Sequence, residues 1–174
     1  LSDKPTFVQS MFSQRLTADQ LSSLQDHYRG RLGSLVAVDD LVERVIAALK
    51  RNGSYENTVV VFTSDNGWIL GEHRLRDPVT EDGRAAGVKY VPYEGSSRVP
   101  LMIAGPGFPA DRTVPGVTSN ADLTATIIDV AGARASLPLD GRSLLVPARS
   151  PAVLKDRAVL LETAPNPRNV PAYA

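Results

Sequence analysis

The sequence predicts an α/β fold that contains at least part of a parallel sheet. The prediction rests on the order of local patterns along the chain, which are helix, strand, long loop, strand, helix and strand. Such an alternation is typical of sheets whose strands are joined through helices. With 174 residues, of which 43% are apolar, the chain is long enough to bury a hydrophobic core.

The longest pattern predicts an amphipathic helix in the first third of the chain. Apolar residues recur at three- and four-residue steps between residues 21 and 49. Thr17 and Gln20 have the spacing of a capping box, in which each side chain binds a backbone N–H of the first turn. Asn52-Gly53 is a helix-stop signal. We therefore expect one long helix between these two signals.

Three apolar runs predict strands, and a shorter amphipathic pattern predicts a second helix. Residues 58–63 would form a buried strand, because successive apolar positions are too many for a strand with one face in water. Residues 99–103 and 158–161 are the other two runs. The second helix would lie between residues 119 and 130, with Ser119 or Asn120 as its cap.

Composition excludes several classes of function. Nineteen basic residues balance nineteen acidic ones, so no net field favours nucleic acid or an anionic membrane. The sequence has no run of eighteen apolar residues that would predict a membrane-spanning helix. The absence of cysteine excludes disulfides, thiolate metal sites and a cysteine nucleophile within these residues. Composition does not indicate a cellular compartment.

A polar triplet, Asp65-Asn66-Gly67, closely follows the first predicted strand. Open α/β sheets bind their ligands at the carboxyl ends of strands. Carboxylate and amide oxygens are hard donors that suit a divalent cation such as Ca²⁺. The same triplet is also a common turn signal. From these residues alone, a metal site and a tight turn are both open interpretations.

Several short segments occur in a characteristic order between roughly residues 25 and 147. They are Tyr28-Arg29-Gly30-Arg31-Leu32, Ala37-Val38-Asp39-Asp40, residues 57–67, Leu70-Gly71-Glu72-His73, Lys89, residues 92–101, Gly105-Pro106-Gly107, residues 122–127 and Asp140-Gly141-Arg142-Ser143-Leu144. This ordered set resembles the sulfatases of the alkaline phosphatase superfamily. Residues 57–67 are similar to the second metal-binding motif of that family, and Lys89 lies in a segment similar to its lysine-bearing loop.

The resemblance implies a partial, truncated three-layer sandwich with a mostly parallel sheet, in which residues 1–174 form the C-terminal half of one catalytic domain. It implies a calcium-dependent hydrolase that cleaves sulfate esters or sulfamates of a small molecule or sugar. Asp65 and Asn66 would bind Ca²⁺, and Lys89 would bind the sulfate group. His73 would contact the substrate or act as an acid, and the alternative is that it orders its loop.

Half of the site implied by the resemblance has no counterpart in the sequence. The family's nucleophile is formylglycine, made from cysteine or serine in a Cys/Ser-X-Pro-X-Arg motif that does not occur here. The nearest similar segment, residues 164–168, has no nucleophile at the required position. The paired aspartates of the first metal motif are also missing. We therefore expect no activity from the chain alone, and weak calcium binding at most, since Ca²⁺ takes about six to eight oxygen ligands.

Other interpretations stay open beside this one. The chain could belong to a phosphonate or phosphodiester hydrolase of the same superfamily, or to a non-catalytic module used for binding. Trp68 and Tyr90 are candidates for lining a substrate pocket, with core packing as the alternative. If the sheet is truncated, an open strand edge and an uncovered apolar stripe on the long helix predict self-association.

Overall fold

A computed structural model describes residues 16–74, 88–89 and 91–161. Within that part of the chain the elements are α1 (Ala18–Arg51), β1 (Val60–Thr63), α2 (Glu94–Ser97), β2 (Leu101–Ala104), α3 (Asn120–Val130) and α4 (Leu145–Arg149), with 3-10 turns at Tyr55–Asn57, Glu72–Arg74 and Pro151–Leu154. The described residues form two compact units. The first unit contains those between 16 and 45 and between 66 and 99, and the second unit contains residues 46–65 and 100–161.

Helix α1 confirms the predicted long helix, including its start and its end. The Thr17 N–H donates to Gln20 Oε1 at 3.0 Å, and the Gln20 N–H donates to Thr17 Oγ1 at 3.2 Å, which completes the capping box. At the other end, Gly53 has a φ of 76°, a conformation that glycine adopts without strain. The Ser54 N–H then donates to the Leu49 carbonyl at 3.0 Å, so a carbonyl of the last turn is satisfied.

The sheet corrects the prediction of a mostly parallel, buried arrangement. Over the described residues the sheet has two strands, β1 and β2, which pair antiparallel with Val60 opposite Ala104 and Thr63 opposite Leu101. Exposure alternates along β1, where Val61 is 37% exposed and Phe62 is half-buried. A two-stranded sheet with one face in water gives this alternation, whereas the apolar run had predicted cover on both faces. Residues 158–161, expected to be a strand, form none.

Helix α3 confirms the second predicted helix. Ser119 is the cap, and its N–H donates to Asp122 Oδ2 at 2.8 Å. Ala125 and Thr126 are buried, whereas the larger apolar side chain of Ile127 is 61% exposed. The Thr126 hydroxyl accepts a hydrogen bond from the Leu144 N–H at 2.9 Å. The buried face of α3 is therefore selected by hydrogen bonds as well as by apolar contacts.

Asp122 is the centre of the second unit. Its side chain is fully buried and accepts hydrogen bonds from the backbone N–H groups of Ser119 and Arg142, both at 2.8 Å, and from two nitrogens of Arg157 at 2.7 and 2.8 Å. Burial by itself raises the pKa of a carboxyl, but the hydrogen bonds from Arg157 and from the two backbone groups lower the pKa of Asp122 to about 2. The ionised carboxylate therefore joins three separate segments of the chain.

The first unit has a small apolar core. Ile69 is 1% exposed and Val91 is 6% exposed, with Val88 packed against them. Ile69 and Val88 form an antiparallel bridge with both backbone hydrogen bonds at 2.8 Å. Leu24 of α1 is also buried. Among the described residues, no helix is long and apolar enough to cross a membrane.

Candidate functional site

Asp65 and Asn66 follow the carboxyl end of β1, as the sequence predicts. The strand end is held in the second unit, where the Thr63 hydroxyl donates to the Pro100 carbonyl at 2.9 Å. The Asp65 side chain is exposed and belongs to the second unit, whereas Asn66 is half-buried and begins the 66–74 segment of the first unit. The two predicted metal ligands are thus placed after a defined strand end.

Gly67 is explained by close packing within the first unit. A Cβ atom at this position would lie 2.2 Å from the Gly95 carbonyl oxygen, which no side chain could accommodate without moving the backbone. The Gly67 N–H also donates to the Ser96 carbonyl at 2.8 Å. Its φ is not in the left-handed region that makes glycine favourable in tight turns. The absence of a side chain at Gly67 therefore lets the segment after Asn66 pack closely against α2.

Lys89 and Asn66 lie next to each other in the first unit. The Lys89 Nζ donates to Asn66 Oδ1 at 3.4 Å, and both side chains are half-buried. The backbone bridge between Ile69 and Val88 brings the two segments together, because each of these residues lies close in sequence to one member of the pair. Asn66 Nδ2 donates to the Gly67 carbonyl at 2.8 Å, which turns the amide oxygen of Asn66 toward the ammonium. Two of the four predicted site residues are therefore in contact.

Two cationic side chains lie near the indole ring of Trp68. The Arg31 guanidinium carbon lies 4.9 Å from the ring centroid, and the Lys89 Nζ lies 5.8 Å from it. Both distances are within the range of a cation–π interaction. The side chain of Trp68 is half-buried, so the prediction that it lines a pocket and the core-packing alternative are both compatible with its exposure. Tyr90, the other predicted lining residue, lies outside the described residues.

His73 lies in the 3-10 turn Glu72–Arg74 of the first unit. Its ring stacks on Tyr93 with the centroids 3.9 Å apart and the planes 15° from parallel. Its φ of 55° is unusual for a residue other than glycine. Glu72 beside it accepts a hydrogen bond from the Leu70 N–H at 2.5 Å. These contacts support the ordering role for His73, and its contact with a substrate stays a prediction.

The described residues offer a calcium ion only part of a ligand set. Asp65 and Asn66 supply two hard oxygen donors, which fit the chemistry of Ca²⁺. Across residues 16–74, 88–89 and 91–161, no three His, Asp or Glu side chains converge as a metal site would require. The donor type therefore fits Ca²⁺, while the number of donors does not complete its coordination.

The sequence of the chain matches a known protein family. A family model described as Sulfatase matches residues 4–133. The chain belongs to the sulfatase family. It is 36% identical to N-acetylglucosamine-6-sulfatase from Capra hircus over 157 residues, which is 89% of this chain and 26% of that protein. The chain thus spans about a quarter of the length of this curated relative.

Two solved structures are similar in fold. One is a protein in complex with its substrate D-glucosamine-2-N,6-O-disulfate, with a TM-score of 0.59 and 31% identity over 76% of this chain and 24% of that one. The other is a phosphonate monoester hydrolase from Silicibacter pomeroyi, with a TM-score of 0.51 and 34% identity over 70% of this chain and 21% of that one. The match thus covers about a quarter or less of the length of each of these two structures.

Sequence reasoning identified Lys89 and Asn66 but did not assign a role to Arg31. Arg31 was visible as part of the segment Tyr28-Arg29-Gly30-Arg31-Leu32, yet nothing in that segment distinguishes one arginine from the other. The structure distinguishes them. Arg29 pairs with Asp26 at 3.2 Å on the helix surface, whereas Arg31 contacts Trp68.

Proposed function

We propose that this chain is the C-terminal part of a sulfatase catalytic domain, and that the whole protein hydrolyses a sulfate ester or sulfamate on a sugar. The contact between the Lys89 ammonium and the Asn66 amide oxygen supports the proposal most directly, because it joins the two motifs that the family resemblance assigns to anion and metal binding. The curated relative named for N-acetylglucosamine-6-sulfate and the structure with a disulfated glucosamine favour a sulfated sugar as the substrate.

Lys89 would bind the sulfate group. An ammonium carries three donors, and in a partly desolvated site it stabilises negative charge that develops on the transferred group. Its half-buried position between Asn66 and the face of Trp68 limits the volume in which the Nζ can move. This confinement supports Lys89 as the residue that would orient the anion.

Asp65 and Asn66 would hold Ca²⁺, which when bound supplies Lewis-acid polarisation of a sulfate oxygen. Asp65 is the anionic donor and Asn66 the neutral one. The family resemblance assigns the further ligands to paired aspartates that have no counterpart in this sequence. His73 would contribute through the loop that it orders by stacking on Tyr93, with a direct contact to the substrate as the second possibility.

The nucleophile would also lie outside this sequence. The resemblance assigns that role to a formylglycine, and no Cys/Ser-X-Pro-X-Arg motif occurs in the chain. We therefore expect the purified 174-residue chain to hydrolyse an aryl sulfate no faster than buffer. Turnover above background, sensitive to substitution of Lys89, would contradict this assignment.

The decisive experiment uses the longer protein that contains this sequence together with a Cys-X-Pro-X-Arg motif upstream. We expect hydrolysis of glucosamine-6-sulfate, and we expect Lys89→Ala to lower kcat/KM by about 100-fold, since donors of this kind contribute roughly that much. Glu94→Gln is the matched control, because Glu94 is a charged residue of the same loop that pairs with Arg98 in solvent. Activity without any upstream nucleophile motif would refute the proposal.

A phosphonate or phosphodiester hydrolase is the second candidate, favoured by the similarity to the Silicibacter pomeroyi enzyme. The two candidates differ in the charge of the transferred group, which Lys89 could bind in either case. Assays of one preparation against a sulfate ester and a phosphonate monoester separate them. A higher kcat/KM for the phosphonate would select the second candidate.

A further inference from the structure

Arg31 and Lys89 approach the same aromatic ring from two different parts of the first unit. Arg31 comes from α1 and lies 4.9 Å from the Trp68 centroid, while Lys89 comes from the loop after the Ile69–Val88 bridge and lies 5.8 Å from it. The distance between the two cationic groups is therefore no greater than the length of a sugar of one or two rings. An anion at Lys89 would have a second cation within reach.

The electrostatics of Arg31 differ from those of the neighbouring arginine. Arg29, two residues earlier, has its charge compensated by Asp26 at 3.2 Å. In the part of the chain that the structure describes, no carboxylate pairs with Arg31, and its partner is the neutral indole of Trp68. A guanidinium held over an aromatic face can still donate hydrogen bonds from its N–H groups to an oxyanion. Within the described residues, the charge of Arg31 therefore has no carboxylate that compensates it.

We propose that Arg31 is a specificity-determining residue that binds a second anionic group of the substrate. The inference rests on the proposed function, in which Lys89 binds the sulfate that is cleaved. It deepens that function by naming the substrate class, a sugar that carries two sulfate groups. Trp68 is the positioning residue, since its indole holds Arg31 and faces Lys89 at the same time.

Trp68 also makes the test direct, because it is the single tryptophan of the chain. The 174-residue chain is titrated with glucosamine-2-N,6-O-disulfate and with glucosamine-6-sulfate at constant ionic strength, and tryptophan fluorescence reports binding. We expect the disulfated sugar to bind about tenfold more tightly, as one charge-assisted hydrogen-bonded contact would give. The variants are Arg31→Gln, Arg31→Lys, and the control Arg29→Gln on the same helix.

Arg31→Gln should abolish the preference for the disulfated sugar and leave the affinity for the monosulfated sugar within twofold. Arg31→Lys should keep part of the preference, and Arg29→Gln should keep all of it. An unchanged ratio in Arg31→Gln, or equal losses for both sugars as a merely structural role would give, overturns the inference. A fluorescence response that requires Lys89 but not Arg31 overturns the inference and leaves the proposed function standing. No response to either sugar would overturn the inference, while the assay of the longer protein against glucosamine-6-sulfate tests the proposed function separately.

Discussion

The two units of this chain differ in the partners of their charged side chains. In the second unit, Asp122 is fully buried and its carboxylate accepts four hydrogen bonds, two of them from Arg157. In the first unit, Lys89 makes a long 3.4 Å contact with a neutral amide, and Arg31 lies over a neutral ring. In the second unit a carboxylate and a guanidinium therefore compensate each other, whereas Arg31 of the first unit lies against a neutral group.

The difference separates a structural ion pair from a candidate binding site. A carboxylate that is desolvated and fully hydrogen-bonded holds segments together but has no donor or acceptor capacity left for a ligand. An exposed guanidinium over a neutral ring, such as that of Arg31, retains that capacity. By this criterion the most perturbed carboxyl of the described residues, Asp122, belongs to the scaffold, and the cluster around Trp68 is the candidate binding site.

The largest effect should come from removing the charge at the centre of the second unit. Asp122→Asn leaves the Arg157 guanidinium, whose side chain is 14% exposed, without its counter-ion. We expect a loss of about 3–5 kcal/mol in the free energy of unfolding, which is typical of breaking one half of a buried pair. Urea unfolding followed by circular dichroism measures it. Glu94→Gln, which breaks the exposed pair with Arg98, should cost under about 1 kcal/mol.

The same carboxylate should make stability fall in acid. The pKa of Asp122 is about 2 in the folded chain and 3.8 ordinarily, so the folded state favours the ionised form. This stabilisation is fully present above the ordinary pKa and is lost as the pH falls through 3.8 toward 2, and it amounts to about 2.5 kcal/mol. Urea midpoints between pH 5 and pH 2 test it. A wild-type slope that Asp122→Asn reproduces would assign the acid sensitivity to other groups.

In the first unit, Gly67 should be the position at which adding a side chain lowers stability most. Gly67→Ala places a Cβ against the Gly95 carbonyl, and we expect a loss of about 1–3 kcal/mol together with a shift of Trp68 emission. Gly30→Ala is the control, because no atom lies within 4 Å of its added Cβ in α1. That substitution should stabilise the helix by about 0.5–1 kcal/mol. Equal effects of the two variants would remove the packing argument.

The smallest expected effect concerns association through α1. A stripe of this helix is exposed, with Leu35 at 54% and Val42 at 38%, and exposed apolar patches commonly mark contact sites. We expect the chain to self-associate weakly, and the double variant Leu35→Glu, Val42→Glu to sediment as a monomer at high concentration. Leu137→Glu with Leu139→Glu changes two other exposed leucines and is the control. A wild-type chain that is monomeric at every concentration would contradict the prediction.

Local chemistry was enough to predict the two long helices, α1 and α3, and the position of Asp65 and Asn66 after a strand. The boundaries of α1 follow from Thr17 with Gln20 and from Gly53, because capping and left-handed glycine act within one turn of the chain. The placement of Asp65 and Asn66 after a strand, and the family resemblance, also came from the sequence. These features depend on neighbours in sequence, so a sequence can specify them.

Pairings between distant residues were decided only by the tertiary structure. The antiparallel pairing of β1 with β2, the contact of Arg157 with Asp122 and that of Arg31 with Trp68 join residues 35 or more positions apart. No local period encodes which arginine meets which partner, since both depend on how the intervening chain packs. The sequence by itself determined helices α1 and α3, the two paired strands and the chemical groups of the candidate site. Only packing decided that Asp122 meets Arg157 and that Arg31 meets Trp68, because each contact requires two distant groups to come together.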